Sequence, residues 1–194
     1  MAVEIELKFP VADLTALERR LLELGFSLLT PRTFESNTLY DTPSRTLLNS
    51  RQLLRIRQYG STWLLTHKLQ PADIAPTDSR YKRRIETETA LTDGQALAAI
   101  FASLGYVPVF RYEKYRAEWA DPIHNHHIVV DETPIGDFAE LEGDPAWIDS
   151  TLAALGIDHS ITTTQSYGKL FLSWKQRTAS PAENLTFDAI SQTK

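Results

Sequence analysis

The sequence predicts a single α+β domain of about eight strands and a few helices, an arrangement compatible with a β-barrel. Three observations support this. Runs in which apolar and charged residues alternate strictly recur along the chain, the first being Val3–Phe9. Leucine-rich stripes of helical period interrupt them. The 194 residues contain no repeat and no internal domain boundary, which suits one domain.

In chain order, the first strand is followed by a helix over about residues 12–24. Leu14, Leu17, Leu21 and Leu24 form its stripe and Gly25 its stop. Thr33–Asp41 reads as a strand ending in the turn Asp41-Thr42-Pro43-Ser44. Gln52–Gln58 and Thr62–Lys68 flank Tyr59-Gly60-Ser61 as a hairpin. The segment 70–79 carries two prolines and several polar breakers, and is expected as either a lid or a long hairpin loop. Arg80–Thr89 resumes as a strand, and Asp93 caps a second helix that runs to about Leu104. Val107–Trp119, Ile128–Glu132 and Phe138–Glu142 follow as strands, then Pro145–Leu155 as a third helix. Gln165–Gln176 fits a last helix or an extended closing segment equally well. Residues 1–176 are thus expected as the folded domain. Residues 177–194, poor in apolar side chains, are expected as a flexible C-terminal tail.

With 25 acidic against 20 basic residues the net charge is −5, so the protein as a whole offers no electrostatic grip on a nucleic-acid backbone. No nucleic-acid partner is expected, and any basic site must be local. No apolar run approaches the ~20 residues of a membrane span. The opening MAVEIELKFP is not a signal peptide, so no membrane association and a cytoplasmic location are expected. Zero cysteines exclude disulfides and thiolate chemistry.

Residues of equal parity share one face of a strand. Glu4, Glu6 and Lys8 lie on one face of the first strand, with Val3, Ile5, Leu7 and Phe9 on the other. The same reading groups Arg55 with Arg57, Thr66 with Lys68, and Lys82 with Arg84, Glu86 and Glu88. Lys114 goes with Arg116 and Glu140 with Glu142, while Asp131 shares a face with Val129 and His127. A sheet with one face in water would also alternate in this way. Two features weigh against that explanation. Cations and carboxylates segregate onto different strands, and three helices suffice to cover the apolar faces of a barrel from outside. The charged faces then point inward, which is costly unless the charges are paired or hold a ligand. A triphosphate with a hard divalent cation meets that need: Arg and Lys bind its oxygens, and the metal bridges it to carboxylates.

Read in order, these stations resemble the CYTH family, the triphosphate tunnel metalloenzymes. The opening Glu4-Ile5-Glu6-Leu7-Lys8 is similar to the family's Glu-x-Glu-x-Lys signature. Tyr40-Asp41-Thr42-Pro43, Leu54-Arg55-Ile56-Arg57, Leu65-Thr66-His67-Lys68 and Arg84-Ile85-Glu86-Thr87-Glu88 follow it. Lys114-Tyr115-Arg116, Asp131, Gly136–Glu142 and Ser166-Tyr167-Gly168-Lys169-Leu170 complete the series over about residues 3–172. The resemblance implies an eight-stranded antiparallel barrel forming a tunnel, with helices packed outside. It implies Mg²⁺ or Mn²⁺ as cofactor and a small-molecule triphosphate as partner, the chain acting as monomer or homodimer. By position, Glu4, Glu6, Glu86, Glu88, Asp131, Glu140 and Glu142 are expected around the metal. Lys8, Arg55, Arg57, Lys68, Arg84, Lys114, Arg116 and Lys169 are expected to grip phosphate.

The expected activity is metal-dependent hydrolysis of inorganic triphosphate or a small organic triphosphate such as thiamine triphosphate, with Glu4, Glu6 and Lys68 catalytic. Lys68 would help activate water if neighbouring cations depressed its pKa. A class IV adenylate cyclase making cyclic AMP and pyrophosphate from ATP is the enzymatic alternative; a non-catalytic polyphosphate-binding module is the other. Tyr40 reads as a packed aromatic. His124, His126 and His127 sit at a hairpin turn, where adjacent histidines point to opposite faces, so they do not make a transition-metal site. No phosphate-cradling glycine loop and no Gly-x-Ser-x-Gly elbow is present, so side chains must supply the grip.

Overall fold

The computed structural model describes residues 2–71, 80–121, 123 and 126–191. Eight strands close into an antiparallel barrel in the order β1-β5-β4-β3-β2-β6-β7-β8. They are β1 Ala2–Val11, β2 Ser27–Asp41, β3 Gln52–Tyr59, β4 Thr62–Leu69, β5 Lys82–Leu91, β6 Val107–Asp121, β7 His126–Thr133 and β8 Gly136–Glu142. Closure depends on β1, which splits its pairing: Glu6 stands opposite Lys82 of β5 and also opposite Glu142 of β8. A closed barrel leaves no sheet edge along its seam.

The pleat sends the charged residues inward, so the apolar core lies outside the barrel wall, beneath the helices. Leu7 and Phe9 of β1, Ile128 of β7 and Leu141 of β8 pack under α1 (Leu14–Glu23) and α4 (Pro145–Leu155). These two helices contribute Leu17, Leu21, Trp147, Ile148 and Leu152. Asp13 caps α1 by accepting from the Ala16 amide, and Asp144 caps α4 by accepting from the Trp147 amide. Across the barrel, α3 (Gly94–Ser103), capped by Asp93, lays Phe101 on Tyr40 and Ile56. Tyr40 is thus a packed aromatic on the outer face, its ring 5.1 Å from that of Phe101.

Between β2 and β3 a four-residue helix, α2 (Thr46–Asn49), goes beyond the turn read from the sequence. Asp41 organises it, its carboxylate accepting from the amides of Thr42, Leu47 and Leu48. Residues 165–176, undecided in the sequence, contain a helix, α5 (Tyr167–Thr178), capped by Ser166.

The expectation of a flexible tail from residue 177 is corrected over the described part of that segment. Leu185 is fully buried and Ile190 nearly so, packed with Phe171 of α5 in one cluster, and α6 (Phe187–Ser191) follows. The Leu185 amide donates to the Arg111 carbonyl, and the Glu113 amide donates to the Leu185 carbonyl. The physical reason is a vacant edge. β7 pairs with β6 only from Tyr115 onward, so the first half of β6 needs another partner. The loop read over residues 70–79 lies outside the described residues from 72 onward, as does His124. No described helix is long and apolar enough to cross a membrane.

Candidate active site

The barrel encloses a cavity of about 850 Å³. Its wall includes every phosphate-gripping candidate: Lys8, Arg55, Arg57, Lys68, Arg84, Lys114, Arg116 and, at one mouth, Lys169. Glu4, Glu6, Glu86, Glu88, Glu140 and Glu142 also line it, whereas Asp131 does not. The parity reading therefore placed these side chains inside.

The seven carboxylates read from the sequence do not gather at one point. Glu4, Glu6 and Glu142 each offer an oxygen within 4.8 Å of the others. Such an all-oxygen trio is the donor set a hard divalent cation takes. The other four face cations instead. Glu86 lies 3.0 Å from Lys68. Glu88 accepts from Thr66 at 2.6 Å and stands 3.8 Å from Arg55. Glu140 pairs with Lys8 and, at 2.8 Å, with Arg116. Asp131, fully buried, accepts from Arg116 through both oxygens, from Lys114 at 3.0 Å and from the Tyr167 hydroxyl at 2.6 Å. These four carboxylates are thus apart from the trio, engaged in fixing the basic wall.

Lysines pair with two members of the trio. Lys68 bonds both oxygens of Glu4, at 3.0 and 2.7 Å, and Lys82 bonds Glu6. Burial would push the Glu6 carboxyl up, but Lys82, Lys8 and Lys68 together hold it well below the usual range. Glu142 behaves oppositely: burial, with Glu4 and Glu6 close by, pushes it up to about 7.

The condition set for Lys68 as a water activator, a depressed pKa, is met by a different lysine. Lys68 is half-buried, and although burial pulls its pKa down, Glu4, Glu86 and Glu6 raise it above the ordinary value. Lys8 is the depressed amine, brought down to about 7 by burial, with Lys82 and Lys114 adding to the effect. The Tyr167 ring lies 4.1 Å beneath its ammonium.

Several participants were not singled out from the sequence. Lys82 stood on the correct face but received no role. Tyr112 and Tyr167 accept from Arg55 and donate to Asp131 respectively. Glu35 and Asn37, both fully buried, point inward from β2. Parity was available for that strand, but Glu35-Ser36-Asn37-Thr38 is polar on both faces, so alternation marks neither as interior. Adjacent His126 and His127 diverge as expected: His126 meets Asp144 and the Trp147 ring, and His127 lines the cavity.

The closed antiparallel barrel thus sets a carboxylate trio and a dense cationic wall around one cavity. The CYTH domain profile matches residues 2–154, and the chain belongs to the CYTH family. Solved structures share the fold. The PH1819 protein of Pyrococcus horikoshii is 22% identical over 88% of this chain and 98% of its own, with a TM-score of 0.71. A Vibrio parahaemolyticus protein proposed to be an adenylate cyclase is 20% identical over 87% and 97%, with a TM-score of 0.69. HpAC1 of Hippeastrum, which carries an adenylyl cyclase name and is described as having a dominant triphosphatase activity, is 21% identical over 89% and 96%, at 0.65. A search of curated proteins finds no match.

Proposed function

We propose that this chain is a metal-dependent triphosphatase acting on inorganic triphosphate or a small organic triphosphate. The observation that carries the reading is the trio Glu4, Glu6 and Glu142 set against the cationic wall of one cavity inside the barrel. Glu4, Glu6 and Glu142 would hold Mg²⁺ or Mn²⁺, which when bound supplies neutralisation of phosphoryl oxygens and a site for ordering water. Lys68 and Lys82, which pair with Glu4 and Glu6, would offer further cations to phosphate oxygens. Arg55, Arg57, Lys114 and Arg116 hold the triphosphate along the cavity and stabilise the charge that spreads over the transferring phosphoryl group. Asp131 and Glu140 keep Lys114, Arg116 and Lys8 in place for that task.

The experiment is a panel of tripolyphosphate, thiamine triphosphate and ATP with each metal, resolving orthophosphate, pyrophosphate and cyclic AMP. Phosphate release dependent on Mg²⁺ or Mn²⁺ is expected, and Glu4→Gln should abolish it. Undiminished release in that variant would refute the assignment. Cyclic AMP and pyrophosphate from ATP, in place of phosphate, would instead favour a cyclase; binding without turnover would favour a polyphosphate-binding module.

A further inference from the structure

Two carboxylates of the barrel, Asp131 and Glu35, are fully buried and stand behind the cavity wall instead of lining it. Asp131 is saturated with donors, as described above. Glu35 is not. Its Oε1 accepts from Asn37 Nδ2 at 2.8 Å and lies 3.4 Å from the Lys114 ammonium. Its Oε2 has no hydrogen-bond partner among the described residues and lies 3.9 Å from Nε of Arg57, which also has none.

A buried carboxylate with one oxygen unpartnered destabilises the fold, so packing economy does not account for it. Nor does metal binding, since Glu35 lies beneath the side chains that line the cavity and does not line it itself. What its charge does reach is the rear of the phosphate wall: Lys114, Arg116, Arg57 and Arg55 surround it. Lys114 and Arg116 already have Asp131 as counter-charge, so Glu35 supplies a second negative charge behind the same cations.

We infer that the Glu35 carboxylate, set against Lys114 and Arg57, acts by its charge on the phosphate wall as a whole and keeps that wall from holding the polyanionic product too tightly. The inference rests on the triphosphate reading of the cavity. A unit charge removed at roughly 10 Å from a multiply charged anion, at the effective dielectric of protein sites, changes its affinity by about tenfold or more.

The test measures pyrophosphate and tripolyphosphate binding by calorimetry at fixed Mg²⁺ and salt, with KM and kcat for phosphate release alongside. Glu35→Gln should bind pyrophosphate about tenfold more tightly, with KM and kcat both lowered because product leaves slowly. Glu35→Asp keeps the charge and should stay within threefold of wild-type affinity. A Glu35→Gln affinity that is unchanged or weaker overturns the inference, as does equal tightening by Glu35→Asp. If the single variant does not fold, Lys114→Met is compared with the double variant Glu35→Gln/Lys114→Met, which removes both members of the pair. Adding Glu35→Gln should again tighten pyrophosphate about tenfold, and no tightening overturns the proposal. A purely structural role would lower thermal stability without this sign of affinity change. A wild-type chain that binds neither anion overturns the triphosphate reading, and the role of Glu35 with it. A wild type that binds while Glu35→Gln changes nothing overturns the role of Glu35 alone.

Discussion

Asp131 accepts four hydrogen bonds from three side chains, and its worth to the fold depends on its charge. Burial would raise its pKa, but Arg116 and Lys114 hold it far below the ordinary carboxylate range. A depressed folded-state pKa contributes stability that is present above the unfolded value of about 4 and lost as pH falls below it. Asp131→Asn leaves two buried cations under-compensated and should cost about 3–5 kcal/mol at pH 7. Urea unfolding should show the gap to wild type narrowing progressively below about pH 4; a gap independent of pH would show that the charge is not the cause. At this scale the sequence told much. Parity groups Glu4, Glu6 and Lys8, Arg55 and Arg57, Lys114 and Arg116, and Glu140 and Glu142 on common faces, because the pleat has a period of two whatever the fold, and the segregation of charge between strands turns those faces inward. It could not tell which lysine is depressed. The neighbours that raise Lys68 include Glu4, 64 residues away, and only the closed barrel brings them together.

The C-terminal segment illustrates what is decided between elements. Its few apolar residues form no stripe, so periodicity has nothing to read, yet Leu185 and Ile190 fill a groove that β6 and α5 have already built. A segment needs few apolar side chains to dock when the surface it meets is preformed. The strands and the capped helices α1, α3 and α4 are legible because each carries its own pattern over seven or more residues, whereas α5 is left open between helix and extended segment. α2 is not legible, since four residues held by one distant carboxylate, that of Asp41, have no period. Leu185→Ala should lower unfolding free energy by about 2–5 kcal/mol, the usual range for a fully buried leucine. It should also speed hydrogen exchange at the Glu113 amide, which donates to the Leu185 carbonyl. Wild-type exchange and stability in that variant would mean the segment is not seated on β6.

Taken as one object, the molecule places its ionic groups where most domains keep apolar ones, and its apolar groups outside the wall, under helices. If the cavity takes a metal with a triphosphate, as proposed above, each half of that ligand is unwelcome alone. Tripolyphosphate without metal meets Glu4, Glu6 and Glu142; a metal without phosphate must displace Lys68 and Lys82 from Glu4 and Glu6 and expel the proton that Glu142, with a pKa near 7, partly retains. Together the two satisfy both walls. Mg²⁺ and tripolyphosphate should therefore stabilise the protein cooperatively, and with a variant that does not turn over the ligand the effect can be read at equilibrium. At a ligand concentration near 100 Kd the gain is about 2.7 kcal/mol, which for a chain of this size corresponds to a rise in Tm of roughly 5–10 °C. Glu142→Gln, which keeps the shape but removes the metal-binding charge, should abolish the excess shift while leaving the small effect of each component alone. A shift with both components equal to the sum of the separate ones, in wild type, would mean that cation and polyanion do not meet inside the barrel.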